Sequence, residues 1–128
     1  MKFLGIDYGT KRIGLATSDE EGRIAFPKKV IPNDNKMLET LENFIKEEKI
    51  EKVVMGESKN YRMEDNEIMV DVLDLKKILE VQLEMNVVLH PEVLSTMQAR
   101  SMGAKEEGID ASAAAVILQS YLETKENV

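Results

Sequence analysis

The sequence predicts an α/β fold in which helices cover a mixed sheet. Three short apolar runs near the beginning are joined by hairpin-type loops, which favours antiparallel strands. Farther along, two short apolar runs alternate with segments of helical periodicity, and strands separated by helices usually run parallel in one sheet. A chain of 128 residues suits one domain, so we expect residues 1–128 to form a single one.

The first three strands are predicted from apolar runs at Lys2–Asp7, Ile13–Ser18 and Ile24–Ile31. The segments between them, "YGTKR" and "DEEGR", are typical of hairpin loops. Gly9 and Gly22 are expected to supply positive φ in these loops. The result is a three-stranded antiparallel meander.

A helix is predicted over Asn35–Glu48, because "NDN" offers N-caps and the apolar residues that follow recur at helical spacing. A short apolar strand, Lys52–Met55, then ends at Gly56.

The second half continues this alternation. Apolar residues from Ile68 to Leu83 mark a long amphipathic helix, and Asn86–Leu89 reads as the fifth strand. Leu94–Met102 is predicted to be helical, "GAKEEG" to break that helix, and "DASAAAVILQSYLE" to form the last one, capped at or near Asp110.

Composition limits the function classes. The net charge of −7 argues against a protein that coats nucleic acid by electrostatics alone, so a polyanionic partner would need a local basic patch or bound cations. The absence of cysteine excludes disulfides and thiolate metal sites and fits the cytoplasm. No stretch approaches the roughly 18 apolar residues of a membrane span, so we expect a cytoplasmic protein without membrane contact.

Three carboxylates stand at predicted element ends: Asp7 at the end of the first strand, Glu92 after the fifth, and Asp110 at the last helix. Sites in such sheets lie at the carboxyl ends of parallel strands, where loops converge. Hard oxygen ligands from several elements suit Mg²⁺ or Mn²⁺. Each also has a simpler interpretation, because Asp7 fits a turn, Glu92 a solvated surface and Asp110 an N-cap. His90 is interpreted as a structural residue at a strand end.

Four segments together resemble a known family over nearly the whole chain: "GIDYGTKRIGLATSD", "VVMGES", "EVLSTMQA" and "GIDASAAAVILQSYL". They look like the YqgF family, also called RuvX or the Holliday-junction-resolvase-like family. The resemblance implies a ribonuclease-H-like fold, with a mixed five-stranded sheet in which three antiparallel strands lead into βαβ units flanked by helices.

The resemblance also implies a divalent-metal nuclease linked in bacteria to maturation of the small-subunit (16S) rRNA precursor. By position, the family's catalytic and metal-binding carboxylates fall on Asp7, Glu92 and Asp110. The implied cofactor is Mg²⁺ or Mn²⁺, the reaction is phosphodiester hydrolysis, and structured RNA is favoured over branched DNA. Family members are monomers or homodimers, and the sequence does not indicate which of the two states this chain adopts.

The chain departs from the family pattern in its cationic residues. In "HPEVLST", Pro91 and Val93 stand where many members carry a carboxylate and a cation. "GESKN" replaces the Leu-Pro that often follows the fourth strand, and the basic residues before the last aspartate are reduced to "KEEG". The remaining candidates for substrate binding are Lys11, Arg12, Ser58, Asn60 and Arg100.

Other functions remain open at this stage. A non-catalytic module that binds RNA or a protein would fit the acidic balance and the missing cation at position 93. A branched-DNA resolvase would use the same metal chemistry. "GIDYGT" also resembles the phosphate-binding hairpin of actin-like ATPases and sugar kinases, but those need two such domains around a cleft.

Overall fold

The computed structural model describes residues 1–57, 67–91 and 106–126, and side chains for all of these except residues 67, 106–110, 125 and 126. These residues form five strands and three helices. In chain order the elements are β1 (Phe3–Tyr8), β2 (Arg12–Ser18), β3 (Ala25–Pro32), α1 (Met37–Glu47), β4 (Lys52–Glu57), α2 (Glu67–Gln82), β5 (Asn86–Pro91) and α3 (Glu106–Glu126).

The strands form one mixed sheet in the order β3-β2-β1-β4-β5. β1, β2 and β3 are an antiparallel meander, and β1, β4 and β5 run parallel. All five predicted strands are present, with each end within two residues of the expected position. The predicted mixed sheet with βαβ units is therefore confirmed, and β1 lies at its centre.

Two hydrophobic layers cover the two faces of the sheet. One face packs against α1 and α2, whose buried residues Leu41, Val72 and Leu79 meet alternate sheet residues such as Leu4 and Ile6. The other face packs against α3, and this layer contains the buried residues Phe3, Ala16, Val54, Ala114, Ile117, Leu118 and Leu122. Because successive residues of a strand point to opposite faces, the alternation in β1 assigns every residue to one layer.

Gly5 allows α3 to lie directly on β1. A Cβ atom at this position would stand 2.8 Å from the Ala114 carbonyl oxygen and 2.8 Å from Leu118 Cβ, so only glycine fits without a shift of the helix. On the same face, the rings of Phe3 and Tyr121 have their centroids 6.0 Å apart. The small residue in the middle of β1 is thus explained by close packing of the helix.

β3 forms the free edge of the meander and carries an irregularity. Leu15 pairs with Lys29 and Ala16 with Pro27, which leaves Lys28 as an extra residue in the edge strand. Lys28 and its two neighbours are exposed. Proline without an N–H group is tolerated at such an edge or bulge.

Three local predictions were wrong. α3 begins at Glu106, so part of "GAKEEG" is helical and Asp110 lies inside the helix instead of capping it. α1 begins at Met37 after Lys36, which makes no side-chain cap; Asp34 Oδ1 instead accepts the backbone N–H of Lys36.

The third correction concerns the hairpin glycines. Gly22 has the expected positive φ of 71°, but Gly9 does not. Gly9 is required for a different reason, because a Cβ atom there would collide with the Arg12 carbonyl oxygen across the hairpin. The predicted helix over Leu94–Met102 lies outside the described residues.

Candidate functional site

Asp7 lies near the carboxyl end of β1, the central strand, and is half-buried. Strand alternation places its side chain on the α3 face, together with Phe3 and Gly5. A carboxylate in the middle of a sheet, next to a hydrophobic layer, is not the usual exposed turn residue. The position favours a functional role.

The strand residues beside Asp7 on both sides are glycines. Asp7 pairs with Gly14 in β2. On the other side Ile6 pairs with Met55, so the next step in register brings Gly56 of β4 beside Asp7. Directly paired residues share a face, and neither glycine has a side chain to fill the space there.

The carboxyl ends of β1, β4 and β5 meet at the edge of the sheet where Asp7 stands. β4 ends at Glu57 and β5 at Pro91, so the chain that follows β5 leaves from this edge. The predicted fourth strand stopped at Met55, whereas the observed one continues to Glu57. Strand alternation places Glu57 on the face of Met55, opposite to that of Asp7.

α3 runs antiparallel to β1 and approaches the same edge. Tyr121 contacts Phe3 at the beginning of β1, whereas Ala114 and Leu118 contact Gly5 farther along. The helical residues that precede Ala114 therefore continue towards the end of β1 that carries Asp7. Asp110 lies in this part of the backbone, one turn before Ala114.

Side-chain contacts fix α3 on the sheet. Gln119 Oε1 accepts the backbone N–H of Ala25, and Gln119 Nε2 donates to the Arg23 carbonyl at 3.1 Å. On the opposite side, His90 Nε2 and Ser120 Oγ are hydrogen-bonded at 2.9 Å. These anchors on both sides of β1 hold the helix in register with the central strand.

His90 has the environment of a structural residue, as the sequence predicted. Its ring stands edge-on to Tyr121, with centroids 6.0 Å apart. Burial lowers the pKa of His90, and the nearby Glu57 carboxylate opposes this shift by favouring the charged form. A neutral imidazole fits its contacts with Ser120 and the aromatic ring.

Arg12 lies on the same face of the sheet as Asp7. It precedes Gly14 by two residues in β2, and Gly14 pairs with Asp7. Lys11 is exposed in the loop before β2, where its carbonyl accepts the backbone N–H of Asn33. A second bond, from Asn33 Nδ2 to the Gly9 carbonyl at 2.8 Å, holds the other side of this loop. The cationic hairpin is thus tied to the end of β3.

Of the three predicted metal ligands, only the Asp7 side chain belongs to the described part of the structure. Glu92 lies outside the described residues, as do Ser58, Asn60 and Arg100, and for Asp110 the helix backbone alone is described. Among the side chains that the structure describes, no group of three His, Cys, Asp or Glu is close enough to hold a metal ion. Within the same residues, no helix is long and apolar enough to cross a membrane.

The fold defines the class of protein. Thermus thermophilus RuvC in complex with a Holliday junction substrate matches with a TM-score of 0.64 over 98% of this chain and 96% of that one, at 19% identity. The fowlpox virus resolvase in complex with Holliday junction DNA also matches with a TM-score of 0.64, over 98% of this chain and 99% of that one, at 9% identity. The chain therefore has the ribonuclease-H-like fold that these resolvases share.

Sequence comparison identifies the family. The chain belongs to the RuvX family, whose model, described as a Holliday junction resolvase, matches residues 1–124. A relative from Geobacillus is 35% identical over 98% of this chain and all of its own length, and one from Nitratidesulfovibrio vulgaris is 35% identical over 99% of this chain and 96% of its own. Both are named "Putative pre-16S rRNA nuclease". The predicted family is confirmed.

Proposed function

We propose that this chain is a divalent-metal-dependent nuclease that hydrolyses phosphodiester bonds in the 16S rRNA precursor in the cytoplasm. The observation that carries the proposal is the position of Asp7, on the central strand of a RuvX-family fold and between two glycines. Sites in sheets of this kind lie at the carboxyl ends of the parallel strands, which is where Asp7 stands.

The metal ligands are proposed to be Asp7, Glu92 and Asp110. Carboxylate oxygens suit Mg²⁺ and Mn²⁺. A bound divalent ion would supply an activated water and charge stabilisation at the phosphate. Two features support convergence of these residues: β5 ends at Pro91, immediately before Glu92 in the sequence, at the edge where Asp7 stands, and the backbone of α3 continues through Asp110 towards that edge.

Phosphate binding is proposed to use a local cationic rim, because the net charge of −7 opposes general attraction to RNA. Arg12 shares the face of Asp7, and Lys11 lies next to it in the hairpin. Ser58, Asn60 and Arg100 are the further candidates from the sequence. Contacts of this kind position the backbone of the substrate without reading its sequence.

RNA is favoured over branched DNA by the names of the relatives at 34–35% identity. The solved resolvases with DNA junctions are under 25% identical and support the fold only. A junction resolvase is the second candidate, because the family model carries that description. The two functions require the same metal site and differ in the substrate.

The test is a cleavage assay with three substrates: a precursor 16S rRNA fragment, a mature 16S rRNA fragment and a four-way DNA junction. Each is incubated with the purified chain and Mg²⁺ or Mn²⁺, and with EDTA. We expect cleavage of the precursor in the presence of metal alone. Preferred cutting of the junction would favour the second candidate, and no cutting of any substrate would support a non-catalytic binding module.

Three carboxylate variants connect the activity to the site. Asp7→Asn and Asp110→Asn are expected to abolish metal-dependent cleavage with little change in thermal unfolding, since Asp110 does not cap its helix. Asp74→Asn, on the exposed surface of α2 and on the other side of the sheet, is the matched control and should cleave normally. Full activity of Asp7→Asn would refute the proposed site.

A further inference from the structure

Asn33 makes two hydrogen bonds to the hairpin that joins β1 and β2. Its backbone N–H donates to the Lys11 carbonyl at 2.9 Å, and its side-chain Nδ2 donates to the Gly9 carbonyl at 2.8 Å. A carbonyl oxygen can only accept, so the amide nitrogen of Asn33 must be the atom that faces Gly9. The carbonyls on both sides of Thr10 are thus bound by a single residue.

The two bonds differ in what a substitution at position 33 can remove. The backbone bond extends the pairing of β2 with β3, in which Arg12 and Pro32 are partners immediately before it. Any residue except proline has the N–H group that this bond requires. The bond from Nδ2 requires a side-chain donor, and it reaches the β1 side of the hairpin, where Gly9 lies.

Asn33 is itself held in place from the side of α1. It is half-buried after the end of β3, and Asp34 next to it begins the turn that leads into the helix. Asp34 Oδ1 accepts the Lys36 N–H at 3.0 Å, and the Asp34 carbonyl accepts the Met37 N–H at 3.1 Å. The side chain of Asn33 therefore connects the hairpin to the junction of β3 and α1.

The hairpin carries an exposed cation close to Asp7 in the sequence. Lys11 follows Asp7 by four residues, at the edge of the sheet where β1 ends. Among the described side chains it has no ion-pair partner. A lysine on a mobile loop binds a phosphate weakly, since ordering of the loop opposes association. A hairpin that is already held in place avoids this loss.

We infer that Asn33 is a positioning residue for the substrate: its side chain holds the hairpin so that Lys11 meets an RNA phosphate beside Asp7. The inference rests on the proposed function and adds to it a residue that acts through another. Asp7 does not depend on Asn33, since strand pairing with Gly14 holds Asp7 in the sheet. Loss of the Asn33 side chain should therefore weaken binding and spare the chemical step.

The test measures binding of the precursor 16S rRNA fragment by fluorescence anisotropy in EDTA, where metal-dependent cleavage does not interfere. Asn33→Ala and Asn33→Leu both remove the donor, and the second nearly keeps the size of the side chain. Each should raise the dissociation constant about fivefold, which corresponds to about 1 kcal/mol for one lost hydrogen bond. Asn35→Ala, in the exposed turn before α1, is the matched control and should bind normally. All three variants keep the net charge, and binding is measured below the unfolding midpoint of each.

A double-mutant cycle shows whether Asn33 acts through Lys11. Lys11→Gln should weaken binding and lower the slope of log Kd against log salt concentration by about one. In the Lys11→Gln background, Asn33→Ala should add less than about a twofold effect. In the cleavage assay with Mn²⁺, Asn33→Ala should raise KM and leave kcat unchanged, which a general loss of structure would not do.

The outcomes separate this inference from the proposed function. Unchanged binding by Asn33→Ala, beside a weakened Lys11→Gln, would overturn the positioning role and leave the nuclease proposal standing. An equal effect of Asn33→Ala with and without Lys11 would mean that Asn33 acts elsewhere, which also overturns the positioning role. If the unaltered chain bound no RNA, both this inference and the proposed function would be overturned.

Discussion

Replacing Gly5 by alanine puts a methyl group into the contact between β1 and α3. The new Cβ would lie 2.8 Å from both Leu118 Cβ and the Ala114 carbonyl oxygen, so the helix must retreat by about 0.6 Å to reach an ordinary contact at 3.4 Å. Both obstacles are atoms held rigidly by the helix. A change of rotamer cannot relieve the clash.

The free energy of unfolding of Gly5→Ala is expected to fall by about 1 kcal/mol. Overpacking of a core costs roughly 1–3 kcal/mol, and the lower chain entropy of unfolded alanine returns about 0.4–1 kcal/mol. For a chain of 128 residues, this loss lowers the unfolding midpoint by about 4 °C. Calorimetry or circular dichroism during heating measures it directly.

If the proposed function holds, the same shift should reduce cleavage, because α3 carries the proposed metal ligand Asp110 and catalytic groups must be held within about 0.5 Å. Ile45→Val is the matched control: it removes one methyl group from the core on the opposite face, at a cost of about 0.5–1.5 kcal/mol, without contact with α3. Gly5→Ala should lose more activity than this control at 25 °C. Unchanged stability of Gly5→Ala would refute the packing argument, and equal activity of the two variants would refute the connection between helix position and catalysis.

Three further variants test the hairpin region of the sheet. In a urea titration, Ser18→Ala should lower the free energy of unfolding by about 1–3 kcal/mol, because the buried Phe3 N–H donates to Ser18 Oγ at 2.8 Å and the variant removes this acceptor. The neighbouring Thr17 is the contrast, since its buried Oγ1 has no hydrogen-bond partner among the described residues. Thr17→Val should therefore be neutral or stabilising in the same titration. The Asp19 carboxylate accepts the backbone N–H of Ile24 and that of Arg23, and these hydrogen bonds lower the pKa of Asp19 below 3.8. The stabilisation from the ionised carboxylate is therefore present above pH 3.8 and is lost as the pH falls through the lowered pKa. Asp19→Asn should flatten the acid limb of a pH titration of stability, and an unchanged acid limb would contradict this assignment.

The sequence was sufficient to predict the sheet because its strands have simple signals. Alternating apolar runs and glycine-containing loops mark the meander, and helical periodicity between short apolar runs marks the parallel units. Asp7 could be selected because it ends an apolar run in the first strand. Its glycine neighbours, Gly14 and Gly56, could not be recognised as such, since their positions beside Asp7 depend on strand register.

Other features depend on tertiary contacts that no local pattern contains. The beginning of α3 was predicted too late, because Gly108 inside "GAKEEG" has a low helix propensity, whereas the helix continues through it. Gly9 was predicted to supply a positive φ, whereas glycine is needed there because a Cβ atom would collide with the Arg12 carbonyl oxygen. The periodicity that predicted α2 said nothing of Val70, Leu73 and Val81, which are apolar but exposed, because a periodic pattern does not show what covers the remaining sides of a helix.

The irregular edge strand β3 has a consequence for behaviour at high protein concentration. An unpaired edge can template the addition of strands from other molecules, which leads to aggregation. In β3, Pro27 offers no N–H group for such pairing, the extra residue Lys28 interrupts the ladder, and two adjacent lysine charges repel the same segment of a second chain. We therefore expect this edge to disfavour the addition of strands from other molecules.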